Sequence, residues 1–213
     1  MGEAKQWLRW GCAPVLARVL EIVGASSVEE AILVLGFAAE QAGELTGVRQ
    51  DRLTIVVNPR YREGMASSLQ AGVTALDPQI GAALIVLADQ PLVRAETLDS
   101  IAGEYRRSGC QIVVPVCNGA RGNPVLIGRS LFPEIMALTG DTGARAVFAK
   151  HREEIVRLPV SDAGVLLDLD SRRDFEELEG WERASERERA EIEAAALERR
   201  ARSRELNAHS GDQ

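Results

Sequence analysis

Five short stretches of this chain carry residue types able to hold a phosphorylated ligand and a cation. The sharpest is Leu87-Ala88-Asp89-Gln90-Pro91. An apolar run leads into a carboxylate, and a proline ends the run two residues later, so Asp89 emerges at a strand end. A bare carboxylate there costs free energy unless it is hydrogen-bonded or paired with a cation. Mg²⁺ takes one or two carboxylates and fills its shell with phosphate oxygens and water. An ordinary turn or helix-capping aspartate is the alternative for Asp89. The second stretch is Val165-Leu166-Leu167-Asp168-Leu169-Asp170-Ser171. Alternation places Asp168 and Asp170 on one face of a short strand, where with Asp89 they could hold Mg²⁺ on a nucleoside triphosphate. The alternative is a surface Asp168 and an Asp170 that caps a helix running into Asp174.

Three further stretches are rich in turn residues. After Asn58-Pro59 comes Glu63-Gly64-Met65-Ala66-Ser67-Ser68. A glycine allows a tight turn, and the N–H groups of the helix that follows attract anions or polar base edges. A plain N-cap by Ser67 explains the same residues. In Gly119-Ala120-Arg121-Gly122-Asn123-Pro124, the neighbouring glycine lets a guanidinium approach a phosphate or a ring, although a simple hairpin loop would look alike. In Thr139-Gly140-Asp141-Thr142-Gly143-Ala144-Arg145, Asp141 is a good N-cap by itself.

Other chemistries find little support. The three cysteines, Cys12, Cys110 and Cys117, lack metal-ligand spacing, and His151 and His209 sit in polar stretches. A zinc site or a His-based triad is therefore disfavoured. Of 25 basic residues only Lys5 and Lys150 are lysines; the rest are arginines. A net charge of −7 argues against a basic nucleic-acid-binding surface. No apolar run approaches bilayer length and no signal peptide opens the chain, so a cytoplasmic location is expected.

The elements that must position these residues follow from periodicity. The 213 residues are 46% hydrophobic and 27% charged, enough for one α/β domain plus an appendage. Continuous apolar runs at 31–35, 53–57, 84–87 and 111–114 read as strands covered on both faces. Helical patterns at 14–23, 67–76, 95–105 and 131–138 alternate with them. Repeated strand and helix predict a mostly parallel, doubly wound sheet, which binds ligands beyond the carboxyl ends of its strands. The α/β domain is expected over 1–178. Residues 179–213, dominated by Glu, Arg and Ala, read as a solvated charged helix with a disordered end, or else as a partner-binding helix.

Taken in order, Asn58-Pro59, Gly64 to Gly72, Ala88 to Pro91, Arg121 to Pro124, Gly140 to Arg145 and Asp168 to Ser171 resemble the molybdenum-cofactor nucleotidyltransferases, and among them the cytidylyltransferase branch. The resemblance implies a Rossmann-like fold of the nucleotide-diphospho-sugar transferase type, Mg²⁺, and transfer of CMP from CTP to the phosphate of molybdopterin with release of pyrophosphate. It implies catalytic roles for Lys5 and Asp89, and nucleotide contacts at Gly2, Asn58, Gly64, Ser67 and Ser68. Substrate contacts would fall on Gln90, Arg121, Asn123 and Asp141. The metal would lie between Asp89 and Asp170, with Asp168 as the substitute. A molybdoenzyme such as a xanthine dehydrogenase-type protein would receive the product. Two departures stand out. The family opens with a strand and a loop of the form Leu-x-Ala-Gly-x-Ser-x-Arg-Met-Gly followed by lysine, whereas this chain enters at Met1-Gly2, with Lys5 matching the lysine. The expectation is a first strand encoded upstream, or a truncated paralogue that binds and delivers the cofactor without catalysis. Asn123 stands where the family usually has histidine; it keeps hydrogen bonding but cannot titrate near neutrality. This leaves a GTP-using or other NTP-using transferase as the alternative.

Overall fold

In the computed structural model, the residues described are 7–10, 13–36, 39, 51–169, 174–176, 184–185 and 187–198. Two short strands, Arg9–Trp10 (β1) and Ala13–Pro14 (β2), pair antiparallel and lead into helix α1, Val15–Ala25. Pro14 stands just before the helix, where its fixed φ suits the entry and no backbone donor is lost. Ala31–Leu35 (β3) and Leu53–Val57 (β4) form a parallel pair in register. Helix α2 spans Met65–Ala75, strand β5 Ala82–Ile85, helix α3 Ala95–Ser108 and strand β6 Ile112–Cys117. Then follow Ala120–Arg121 (β7), Val125–Gly128 (β8), the short helices Phe132–Met136 (α4) and Arg145–Phe148 (α5), and strand Ile155–Pro159 (β9).

The sheet order β5-β8-β6 explains where the site must lie. β8 runs antiparallel to both β5 and β6, so those two point the same way, and β9 pairs in parallel with β6. The carboxyl ends of β5 and β9 therefore open onto the same rim. Helices cover both faces. On one, α4 and α5 bring Phe132, Ile135, Val147 and Phe148 against Ile112, Val114, Val125 and Ile127, with Leu69 and Val73 of α2 at the margin. On the other, Ile101 and Tyr105 of α3 meet Val113, Leu126 and Leu84. The α1 helix joins this second face through Ile22 and Leu98. The expected α/β fold with helices on both faces is what forms.

Several local expectations give way to tertiary context. Among the described residues β4 pairs only with β3, so it is an edge, and Ile55 and Val57 are 43% and 59% exposed rather than covered. β6 continues through Pro115 to Cys117, because the missing proline N–H lies in a ladder whose other groups are paired. β9, with Val156 and Leu158 against the Ile101 side of the sheet, is a strand the periodicity did not single out. Residues 163–166 form a 3₁₀ turn rather than part of a strand.

The charged tail also differs from a fully solvated helix. Residues 187–198 are helical. Ser185 and Glu188 close the entry reciprocally: Ser185 N and Oγ donate to Glu188 Oε2 at 2.8 and 2.6 Å, and Glu188 N donates to Ser185 Oγ. These bonds hold the Glu188 carboxyl below its usual range. Ile192, Ala196 and Leu197 pack on Val15, Leu92, Leu167 and Leu169, so a narrow apolar stripe docks on the domain. Glu193 on the same face is buried. The tail's remaining residues lie outside those described.

Burial predicts a clear mutational contrast. Ile135→Ala removes a fully buried side chain and is expected to cost about 2–5 kcal/mol in urea unfolding, whereas Ile55→Ala on the open edge is expected to cost under about 1 kcal/mol.

Candidate functional site

The rim beyond β5 is built by two segments nearly eighty residues apart. Asp89 follows β5 in a tight turn, with Gln90 N donating to Leu87 O at 3.4 Å and Val93 N to Gln90 O at 3.5 Å. Asp168 lies in the segment after the 163–166 turn. Leu169 N donates to Asp89 O at 2.8 Å, joining the segments through their backbones. Gln90 adds a side-chain link: its Nε2 donates to Asp168 Oδ1 at 2.7 Å and lies 3.4 Å from Val165 O. Gln90 is 1% exposed, while Asp89 and Asp168 are half-buried. The amide thus anchors Asp168. Asp168 is no loose surface group, and Leu169 beside it is buried in the core. Asp170, Lys5 and Gly2 lie outside the described residues.

Two carboxylates, those of Asp89 and Asp168, thus sit on adjoining segments, and both are hard-oxygen donors. That set suits Mg²⁺ or Mn²⁺, which keep water and phosphate oxygens in the remaining positions. No group of three or more His, Cys, Asp or Glu among the described residues is arranged to enclose a metal by itself. Gln90 Oε1 is buried and accepts no hydrogen bond among the described residues. A metal-held water is a donor of the kind this atom lacks, so the residues present fit such an ion.

A second cluster surrounds the turn into α2. Gly64 has φ 107°, and a side chain there would overlap the Gly140 carbonyl. The turn therefore needs glycine for both conformation and close approach. Ala66 N donates to Gly140 O at 3.2 Å and Met65 N to Asp141 Oδ1 at 3.2 Å. Asp141 is thus not the N-cap of its own short helix; it reaches across the chain to the first turn of α2. Asn58, 2% exposed, donates from Nδ2 to Ser67 Oγ at 2.9 Å and to Ser68 Oγ at 3.1 Å, and accepts from Arg60 N. Ser67 Oγ in turn lies within donating distance of Arg60 O and Gly64 O. Asn58, Ser67 and Ser68 therefore shape the turn, and the turn presents backbone around Gly64.

The third cluster connects the first two. Asn123 N donates to Val165 O at 2.9 Å and Gly122 N to Pro115 O at 2.9 Å. Arg121 is exposed and its guanidinium stands 6.0 Å over the Phe148 ring of α5. The Arg121 loop is thereby tied to the Asp168 segment on one side and to the Asp141 loop's helix on the other.

One structural contact near the site was missed in the sequence. His151, before β9, lies between two carboxylates: Nε2 is 2.5 Å from Glu134 Oε1 and Nδ1 is 2.9 Å from Glu154 Oε1. Lys150 Nζ adds a contact to Glu134 at 3.5 Å. This clamp closes the base of the 134–151 loop that carries Asp141. Hydrogen bonds to Glu154 and Glu134 push the His151 pKa above its ordinary value, and the bond to His151 holds Glu134 below its own. The sequence signal was weak: a histidine flanked by charges, with its partner 17 residues away.

The MobA-like NTP transferase domain is matched across residues 1–155. The molybdenum cofactor cytidylyltransferase of Escherichia coli K12 is 25% identical over 175 residues, covering 82% of this chain and 86% of that protein. The crystal structure of a Mycobacterium tuberculosis Rv0371c homologue from Mycobacterium sp. strain JC1 superposes with TM-score 0.71 at 28% identity, covering 84% of this chain and 88% of that one. Rv0371c of M. tuberculosis H37Rv, in complex with manganese, superposes with TM-score 0.69 at 26% identity, covering 83% and 92%.

The clamp makes stability depend on pH in a defined direction. Because the folded His151 pKa is raised, the stabilisation is complete below the ordinary histidine value and is lost as pH rises through the higher folded value. The Glu134 side acts oppositely, losing stabilisation only as pH falls through its lowered value. The expected result is a Tm that falls between mildly acidic and alkaline pH in the parent protein and falls less in His151→Gln, followed by calorimetry across that range.

Proposed function

The chain belongs to the MobA-like NTP transferase domain family, a family of nucleotidyltransferases, and from that premise we propose that it transfers CMP from CTP to the terminal phosphate of a molybdopterin-type cofactor. An oxygen of the acceptor phosphate attacks the α-phosphorus of CTP. A new P–O bond forms, the α–β bridging P–O bond breaks, and pyrophosphate leaves with the bonding pair. The observation that carries this proposal is the Asp89-Gln90-Asp168 rim at the carboxyl end of β5.

Nucleotidyl transfer depends on positioning and charge neutralisation more than on covalent catalysis. Asp89 and Asp168 would hold Mg²⁺ or Mn²⁺, with Asp170 as a further candidate ligand. That ion would supply electrophilic stabilisation of the charge shared by the triphosphate and the acceptor phosphate. Gln90 fixes the Asp168 carboxylate for that role. The backbone around Gly64 would face the nucleotide base, its turn shaped by Asn58, Ser67, Ser68 and Asp141. Gly2 and Lys5 would serve the triphosphate. Arg121 and Asn123, beside the rim through Val165, would face the pterin. A phosphate monoester is largely deprotonated at neutral pH, so no side-chain base is required at the attacking oxygen.

The test is pyrophosphate release from CTP, GTP, ATP and UTP in the presence of molybdopterin. CTP is expected to be used fastest, and Asp89→Ala is expected to lower kcat/KM by about 100-fold or more with the fold intact. A rate unchanged by Asp89→Ala overturns the assignment of Asp89; fastest turnover with GTP, or none with any nucleotide, overturns the CTP reading.

A further inference from the structure

We propose that Asp162, a residue outside all the motifs above, is a positioning residue of this site: its buried carboxylate sets the placement of Asp168 relative to Asp89 and thereby the affinity for the divalent cation. The inference rests on the nucleotidyl-transfer reading of the rim. Asp162 is 3% exposed. A carboxylate that deep is tolerated only where its oxygens are hydrogen-bonded, and here both are. Oδ2 accepts from Arg94 N at 2.8 Å and from Thr97 Oγ1 at 2.6 Å; Oδ1 accepts from Gly164 N at 3.0 Å. The Arg94 guanidinium lies at the edge of ion-pair range, 4.0 Å away.

These bonds join the two segments that build the rim. Arg94 and Thr97 open α3 directly after the Asp89-Gln90-Pro91 turn, and no side chain of α3's own entry caps it. Gly164 lies in the 3₁₀ turn that Asp162 caps and that leads to Asp168. At the far end of the same two segments, Leu169 N meets Asp89 O and Gln90 Nε2 meets Asp168 Oδ1. The segments 89–94 and 162–169 are therefore cross-linked at both ends, with Asp89 and Asp168 at one end and Asp162 at the other. In between they touch without slack: a side chain at Gly164 would overlap the Leu92 carbonyl. A shift at the Asp162 end has no compliant element to absorb it and moves Asp168 against Asp89. Residues that orient metal ligands in this way commonly contribute 10–100-fold, on the order of one to two decades, in metal affinity.

The test measures Mn²⁺ binding to the full chain by electron paramagnetic resonance of the free ion, without nucleotide or turnover. Asp162→Asn keeps the size but turns one acceptor into a donor facing an N–H or hydroxyl, and Thr97→Val removes one of the three bonds while leaving Asp162 in place. Asp162→Asn is expected to weaken Mn²⁺ binding by about 10-fold or more, and Thr97→Val by a smaller factor in the same direction. Circular dichroism and unfolding midpoints identify variants that fold. A folded Asp162→Asn protein that binds Mn²⁺ within twofold of the parent overturns the proposal. If that variant does not fold, parental affinity in Thr97→Val does so instead. A parent protein without Mn²⁺ affinity, or one whose affinity survives Asp89→Ala, also overturns it. Failure of the transfer reading is separate: Mn²⁺ binds and depends on Asp89, yet no nucleotide releases pyrophosphate.

Discussion

The backbone hydrogen bond from Leu169 N to Asp89 O, 2.8 Å long, is the constraint on which the site depends. It joins the end of β5 to a segment that returns only after α3, β6, β8 and β9 have been laid down. It sets the register in which Asp89 and Asp168 come alongside each other. With it, the Gln90 amide can reach Asp168 Oδ1, and the side chain of Leu169 enters the core beside Leu92 and Leu167. The same few residues thus serve packing on one side of the chain and a hydrophilic rim on the other, as alternation along an extended segment requires.

The remaining clusters are fastened to this rim by short, polar and mostly backbone links. Val165 O receives both Asn123 N and the Gln90 amide, placing the Arg121 loop beside the carboxylates. Arg121 reaches Phe148, whose helix follows the loop that Asp141 uses to grip the first turn of α2. His151 and Glu134 close the base of that loop. Few of these links are salt bridges in water; most are bonds to buried or half-buried backbone, where losing one partner strands the other. The docked helix of residues 187–198 supports the rim from behind, through Ala196 and Ile192 on Leu167 and Leu169.

Much of this was legible before the fold. The apolar runs at 31–35 and 53–57 are strands with those bounds, and four helical patterns are helices within a few residues of their expected ends. The turn residues marked the stretches that gather near the rim. What failed did so for tertiary reasons. Val57 is 59% exposed on a strand that, among the described residues, pairs only with β3, and composition records neither fact. Asp141 looked like a cap for its own helix and instead serves α2, because Gly64 lets the two loops touch. The tail looked wholly solvated because a stripe of Ile192, Ala196 and Leu197 is too narrow to register among so many charges.

The sequence by itself determined the class of fold and the stretches whose residue types suit phosphate and metal chemistry, because these follow from residue type and local period. Only the tertiary structure decided that the Gln90 amide reaches Asp168, that Asn58 bonds the hydroxyls of Ser67 and Ser68, and that Asp162 ties α3 to the Asp168 segment. Those roles rest on hydrogen bonds between residues as much as 78 positions apart. Whether such a bond forms is set by the path of the intervening chain, and no local pattern of residues encodes that path. Asp89 shows both halves: five letters marked a carboxylate at a strand end, and the fold joined its backbone to the segment that carries Asp168.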